Sequence, residues 1–307
     1  MTNDHLLLNW MEESRALVHK GQVADYIPAL AQASPDALGI TIHPVQGSPL
    51  TLGDCDQIFT LQSISKVFTL ILALMDRGEE VVFSHVGMEP TGDNFKSILK
   101  LELVPPGKPF NPMINAGAIT VTSLIGGETP EEKWHRILAF IQHLASDPDI
   151  GFNEDVYESE KATANRNRSL GYFLKDVGVL EGKVEEQLDV YFKHCAIEMT
   201  CKQLARLAVI LANNGLDPDT SRQLIPAKYV RIAKTFMVTC GMYNASGEFA
   251  IRVGIPAKSG VSGSILALVP GRMGIGIIGP SLDEKGNSIA GMHMLERMSE
   301  AWEFSMF

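Results

Sequence analysis

Apolar positions along the chain fall into blocks of different period. Residues 4–20 read as a helix whose apolar cluster, Leu6 to Leu8, is broken by Asn9 and followed by acidic residues. Two strand-like stretches follow, at 38–45 and 50–53. From Ser63 the pattern changes to SISKVFTLILALMDRGEE, an apolar run closed by Gly78 and acidic residues, which predicts a buried helix. The middle of the chain predicts further helices joined by polar or Pro/Gly turns: 131–145 after Thr129-Pro130, 164–176, and 201–213 ending at Gly215. Around Phe249 the period shortens again. FAIRVGIPAKSGVSGSILALVPGRMGIGIIGP, broken by Gly and Pro, predicts two or three antiparallel strands, and 289–304 an amphipathic helix. Strands therefore bracket a helical middle. This predicts an α/β (α+β) fold: one lobe with a central antiparallel sheet from residues 1–58 and 225–307, and an inserted, mainly helical lobe from 59–224.

Composition narrows the function classes. The 307 residues are 45% hydrophobic and 20% charged, enough to bury a core, without internal repeats or low-complexity tracts. A formal net charge of −10 speaks against a nucleic-acid surface, which needs clustered Lys and Arg. The N-terminal apolar cluster is too short and too interrupted for a signal peptide or a membrane span. Cys55, Cys195, Cys201 and Cys240 form no CxxC pair, which suits a reduced, cytoplasmic setting. The eight histidines show no metal-ligand spacing, so neither a metal nor another cofactor is expected.

Ser63-Ile64-Ser65-Lys66 fits S-x-x-K at the start of the predicted buried helix, with the two side chains one turn apart on one face. A serine hydroxyl is a weak nucleophile until a base takes its proton, and a lysine kept neutral by burial can do so. Taken alone, Ser-x-x-Lys occurs by chance in many helices. Lys258-Ser259-Gly260, on a predicted strand, supplies the K-[ST]-G element that accompanies S-x-x-K in the serine β-lactamase and penicillin-binding group. Together they point to serine acyl transfer, with Lys258 adding positive potential. The S-D-N element of a β-lactamase is missing.

The chain carries a different set of blocks: VADYIPAL, LQSISKV, VGMEPTG, NPMINAGAI, Ser159-Glu160 followed by RNRSLGYFL, YFKHCAIEMT, TCGMYNASGEFA, IPAKSGVSG and LDEKGNS. In this order they resemble the bacterial-type glutaminase family over nearly the whole chain. The resemblance implies a serine β-lactamase-like fold and hydrolysis of the side-chain amide of L-glutamine, with no cofactor. It implies Ser63 as nucleophile, Lys66 as base, Tyr243 as a proton relay beside the serine, and Val261 as an oxyanion N–H alongside that of Ser63. Tyr26, Asn115, Glu160, Asn167 and Tyr191 are implied to hold the substrate, with Glu160 and Asn115 as acceptors for its ammonium. Self-association as a dimer or tetramer is implied as well. This chain departs from the family's SGVGGG, having Ser262 and Ser264 around Gly263; glycine tolerates backbone angles that serine does not.

Two other signals lead elsewhere. Gly274 to Gly279 spell G-x-G-x-x-G, but within a strand pattern followed by Pro280, where no helix opens. His194-Cys195 suggests a thiol amidase, yet neighbouring residues in a helix or strand are expected to point apart, leaving the cysteines as small buried residues. A serine hydrolase of another specificity (an esterase or β-lactamase) and a non-catalytic amino-acid sensor remain open. Retention of both Ser63 and Lys66 speaks against the sensor.

Overall fold

Residues 264–269 read SILALV without alternation, which fits a strand covered on both faces. In the computed structural model, which describes residues 3–91 and 107–307, that strand lies inside a five-stranded antiparallel sheet. Its strands are β1 (Gly39–Pro44), β2 (Leu50–Gly53), β5 (Ala257–Ser259), β6 (Ser264–Val269) and β7 (Met273–Ile278), in the order β2-β1-β7-β6-β5. Alternate residues of β6 feed two cores: Ile265, Ala267 and Val269 pack with helices α1 (Asn3–Arg15) and α11 (Ile289–Trp302), while Leu266 and Leu268 join the opposite cluster. Trp10 and Trp302 meet edge to face at 5.4 Å across the α1–α11 pair.

The opposite sheet face is covered by α8 (Cys201–Ala212). A β-carbon on Gly274 would stand 2.1 Å from the Val209 nitrogen, and one on Gly276 would stand 2.5 Å from the Cys201 carbonyl oxygen. The G-x-G of β7 is thus a seat for α8 and not a nucleotide loop.

The remaining helices are α2 (Ser65–His85), α3 (Asn115–Leu124), α4 (Pro130–Ala145), α5 (Glu154–Thr163), α6 (Asn165–Asp176), α7 (Val184–Cys195), α9 (Ala227–Cys240) and α10 (Ser246–Arg252). Every residue of α2 from Ser65 to Leu74 is buried, so its apolar run is a core helix with no wet face. At Gly78 the backbone turns to φ +78°, a left-handed conformation that ends the first helical segment where the sequence placed its close. Thr129 with Glu132, and Thr200 with Gln203, form capping boxes that start α4 and α8. The expected helix 164–176 is a separate element from α5, broken at Ala164 (φ −82°, ψ 38°). Two-residue strands β3 (Phe59–Thr60) and β4 (Glu198–Met199) pair just before Ser63. Gly92, the last residue of the VGMEPTG block, lies outside the described residues. Among the described residues no helix is long and apolar enough to cross a membrane.

Candidate active site

Pairing of Thr60 with Glu198, and donation from the Leu61 N–H to the Ile197 carbonyl (2.8 Å), fix the chain immediately before the nucleophile. A 3₁₀ turn, Gln62–Ile64, then leads into α2. Ser63 therefore sits two residues ahead of the helix, where the sequence placed it at the helix start. Gln62 adopts φ +48°, an uncommon conformation for a non-glycine residue that costs on the order of 1 kcal/mol and clusters at functional sites. The Ser65 hydroxyl bonds the Gln62 carbonyl at 2.7 Å and holds the turn closed.

Lys66, fully buried in the first turn of α2, donates from Nζ to Asn115 Oδ1 (2.7 Å) and to the Met113 carbonyl (3.2 Å). Both acceptors come from the NPMINAGAI block. Asn111 Oδ1 accepts the N–H groups of Met113 (3.0 Å) and Ile114 (3.2 Å), forming the turn before α3. Gly117 permits that turn, since a β-carbon there would lie 1.9 Å from the Asn111 carbonyl oxygen. Asn115, first residue of α3, uses its other side-chain atom to donate to Asn167 Oδ1 at 2.9 Å.

Tyr243 is the second left-handed non-glycine residue here, at φ +51°. Its buried phenol stands beside the Ser63 side chain; burial raises its pKa and Ser63 opposes the rise. Lys258 is buried 4.4 Å over the Tyr243 ring and donates to the Ser259 carbonyl at 2.7 Å. Burial first, then the Lys66 amine, holds the Lys258 pKa well below the ordinary lysine value. Val261, in the Gly260–Gly263 turn, is buried beside these groups, and no backbone acceptor among the described residues meets its N–H.

The other end of the cleft is polar and acidic. The break at Ala164 turns α6 relative to α5, so Glu160 and Asn167 come from different helices to one buried wall. Tyr191 of α7 is fully enclosed, and burial followed by neighbours that include Glu160 raises its pKa well above the usual value. Tyr26 as a residue is 42% exposed, while its hydroxyl end is turned toward protein. Burial, then Tyr243 and Glu160, push its pKa up. Both phenols stay neutral and able to donate.

Tyr26, Ser63, Asn115, Glu160, Asn167 and Tyr191 line one narrow cleft of about 60 Å³. Tyr243 and Val261 border it through a neighbouring cleft that shares Tyr26. Lys66 and Lys258 are fully buried and do not line it. Arg166 and Gln62 also line the cleft and were not expected. Arg166 could have been noticed as a cation beside Asn167, whereas no sequence signal marks Gln62.

His194 is the other unexpected residue. Its Nδ1 lies 2.8 Å from Ser65 Oγ and its Nε2 lies 3.0 Å from Thr122 Oγ1. The Cys195 sulfur comes within 3.9 Å of the ring, so this adjacent pair does not point apart as the sequence suggested. No reactive thiol results, because burial above all raises the Cys195 pKa. Burial, and secondarily Lys66, lower the His194 pKa to about 3 from 6.5. The unfolded chain therefore binds a proton below pH 6.5 that the native ring refuses, and stability falls as pH drops from there toward 3. Near pH 5 this residue should remove about 2 kcal/mol of unfolding free energy. Urea unfolding near pH 7.5 and pH 5 should show a larger acid loss for the wild type than for His194→Gln. Equal losses would exclude His194 as the source.

The family model for glutaminase matches residues 21–307. Glutaminase 1 of Halalkalibacterium halodurans is 57% identical over 304 residues, covering 99% of each chain. The structure of a probable glutaminase of Bacillus subtilis superposes with a TM-score of 0.93 at 45% identity, covering 98% of this chain and 96% of that one. Another B. subtilis glutaminase structure is a covalent complex with 5-oxo-L-norleucine, formed by reaction with 6-diazo-5-oxo-L-norleucine. It has a TM-score of 0.90 at 43% identity, with 98% of both chains covered.

Proposed function

The chain belongs to the glutaminase family and hydrolyses the side-chain amide of glutamine, and we propose that it does so through a glutamyl ester on Ser63. The observation that carries this reading is a fully buried lysine, Lys66, held by the Asn115 carboxamide one turn from a serine whose hydroxyl meets Tyr243. Lys66 acts as a neutral base. Two buried amines repel if both are charged, so Lys66 and Lys258 together hold at most one proton. The Ser63 proton leaves toward Lys66, with Tyr243 as relay, and Oγ bonds to the γ-amide carbon. The N–H groups of Ser63 and Val261 hold the oxyanion. Collapse breaks the C–N bond, the nitrogen takes the proton and ammonia departs. Water, deprotonated by the same base, then cleaves the ester and releases glutamate.

Glu160 accepts from the substrate ammonium, with Asn115 beside it, while Tyr26, Tyr191 and Asn167 donate to the α-carboxylate. On this reading the cleft is the seam between the sheet lobe (1–58 and 225–307) and the helical segment 59–224. The free cysteines favour a cytoplasmic setting, and the resemblance favours self-association. The serine intermediate is tested by acid-quenching the enzyme during glutamine turnover. The peptide bearing Ser63 should gain one glutamyl group while ammonia and glutamate appear one to one. Turnover with no adduct, even under rapid quench, would reject the ester.

Glu160→Gln should raise KM for glutamine about 30-fold and leave kcat within about fivefold, because a hydrogen bond to a charged group contributes roughly 2 kcal/mol. Steady-state kinetics check this. A KM within about threefold of wild type would take the ammonium away from Glu160.

A further inference from the structure

We propose that Ser262 is a positioning residue for this reaction: its hydroxyl clamps the turn that carries the Val261 N–H to β3, the strand that leads into Ser63. The proposal rests on the reading of Val261 and Ser63 as oxyanion donors. Those donors come from segments 198 positions apart in the chain (261 − 63), and nothing covalent sets their spacing. Ser262 Oγ donates to the Thr60 carbonyl at 2.7 Å, and the bond is buried. Its single proton is thereby used, so the 2.8 Å contact with Ser264 Oγ is made by the Ser264 hydroxyl donating to Ser262. The result is a chain of two hydrogen bonds, Ser264 to Ser262 to Thr60, ending three residues before the nucleophile. Thr60 is itself anchored by its pairing with Glu198 and receives Gln62 Nε2 on its hydroxyl at 3.3 Å.

The backbone around the clamp explains why serine is tolerated there. Gly263 alone of the three residues 262–264 is left-handed (φ +90°), and a β-carbon on it would lie 2.4 Å from the Gly279 carbonyl oxygen. The one position that requires glycine keeps it. Ser262 and Ser264 take ordinary backbone angles, so their side chains add the clamp without strain. Ser262 does not line the cleft that holds the substrate-binding residues. It lines a separate cavity of about 280 Å³ with Phe59, Thr60 and Val261. Its removal should therefore act on the oxyanion spacing and spare ground-state binding of glutamine.

The test is Ser262→Ala, with Ser262→Thr to restore the hydroxyl, since the adjoining cavity has room for the added methyl. The alanine variant should lower kcat and the single-turnover acylation rate about tenfold, short of the ~100-fold cost of deleting a donor outright. KM should stay within about twofold, and threonine should recover at least about half of the loss. A folded Ser262→Ala acylating within about twofold of wild type would overturn the clamp, as would a loss that threonine leaves unrepaired. If the alanine variant does not fold, Ser264→Ala, which removes the supporting donor, should lower kcat about threefold at unchanged KM; wild-type kcat there would overturn the proposal equally. Acid-quench mass spectrometry separates the two levels. Absence of the Ser63 ester from the wild type overturns the oxyanion reading and the clamp with it, whereas a wild-type ester formed equally fast in Ser262→Ala overturns the clamp alone.

Discussion

Ser63→Ala lowers the rate of glutamate formation by about five orders of magnitude and leaves the fold as it is. The magnitude follows from removing the atom that forms the covalent bond, since nucleophile deletions in serine hydrolases cost on the order of 10⁶ in kcat. Persistence of the fold follows from the local contacts. The strained turn is held by the Ser65 hydroxyl on the Gln62 carbonyl and by the Leu61–Ile197 backbone bond, neither of which uses Ser63. The Tyr243 phenol loses the Ser63 hydroxyl as a neighbour and its ring keeps its place beneath the Lys258 amine. Coupled glutamate detection and thermal unfolding test the two halves together. Ammonia release from glutamine above about 1% of wild type would end the reading of Ser63 as nucleophile.

Lys66→Met should lower kcat about 10³- to 10⁴-fold, the range for loss of a positioned general base. Methionine fills similar volume in the apolar interior of α2 and carries no charge to desolvate, so the denaturation midpoint should hold or rise. Asn115 Oδ1 loses its donor while its Nδ2 keeps Asn167, so KM should shift by only a few-fold. Loss of activity without loss of stability separates a catalytic lysine from a structural one. More than about a tenth of wild-type kcat in Lys66→Met would transfer the base role to Tyr243.

The order of elements was legible because hydrophobic pattern decides it: the continuous apolar run of β6 suits a strand covered on both faces, and the unbroken run of α2 a buried helix. Capping at Thr129 and the stop at Gly78 were legible for the same local reasons. The serine–lysine pair could be found as a spacing. What could not be found was anything made by two distant segments. The Asn115–Lys66 bond, the β3–β4 pair that fixes the nucleophile turn, and His194 under Ser65 each depend on how separate elements meet. Helix periodicity was also silent on the break at Ala164, which turns Glu160 and Asn167 from points on one surface into two sides of a cleft. Ser262 read as a small departure in a glycine-rich turn. Its meaning came only from the carbonyl opposite it.

The neighbouring strands β1 and β7 are hydrogen-bonded from Gly39↔Ile278 to Pro44↔Met273. On a ribosome adding about 5–20 residues per second, the 228 residues between Pro44 and Met273 take roughly 10–45 s to synthesise. Throughout that interval the β1–β2 hairpin waits with one open edge and an uncovered apolar face, a template for pairing with the wrong chain. Nascent chains stalled before β7 should therefore be the species that chaperones hold and that aggregate when translation slows.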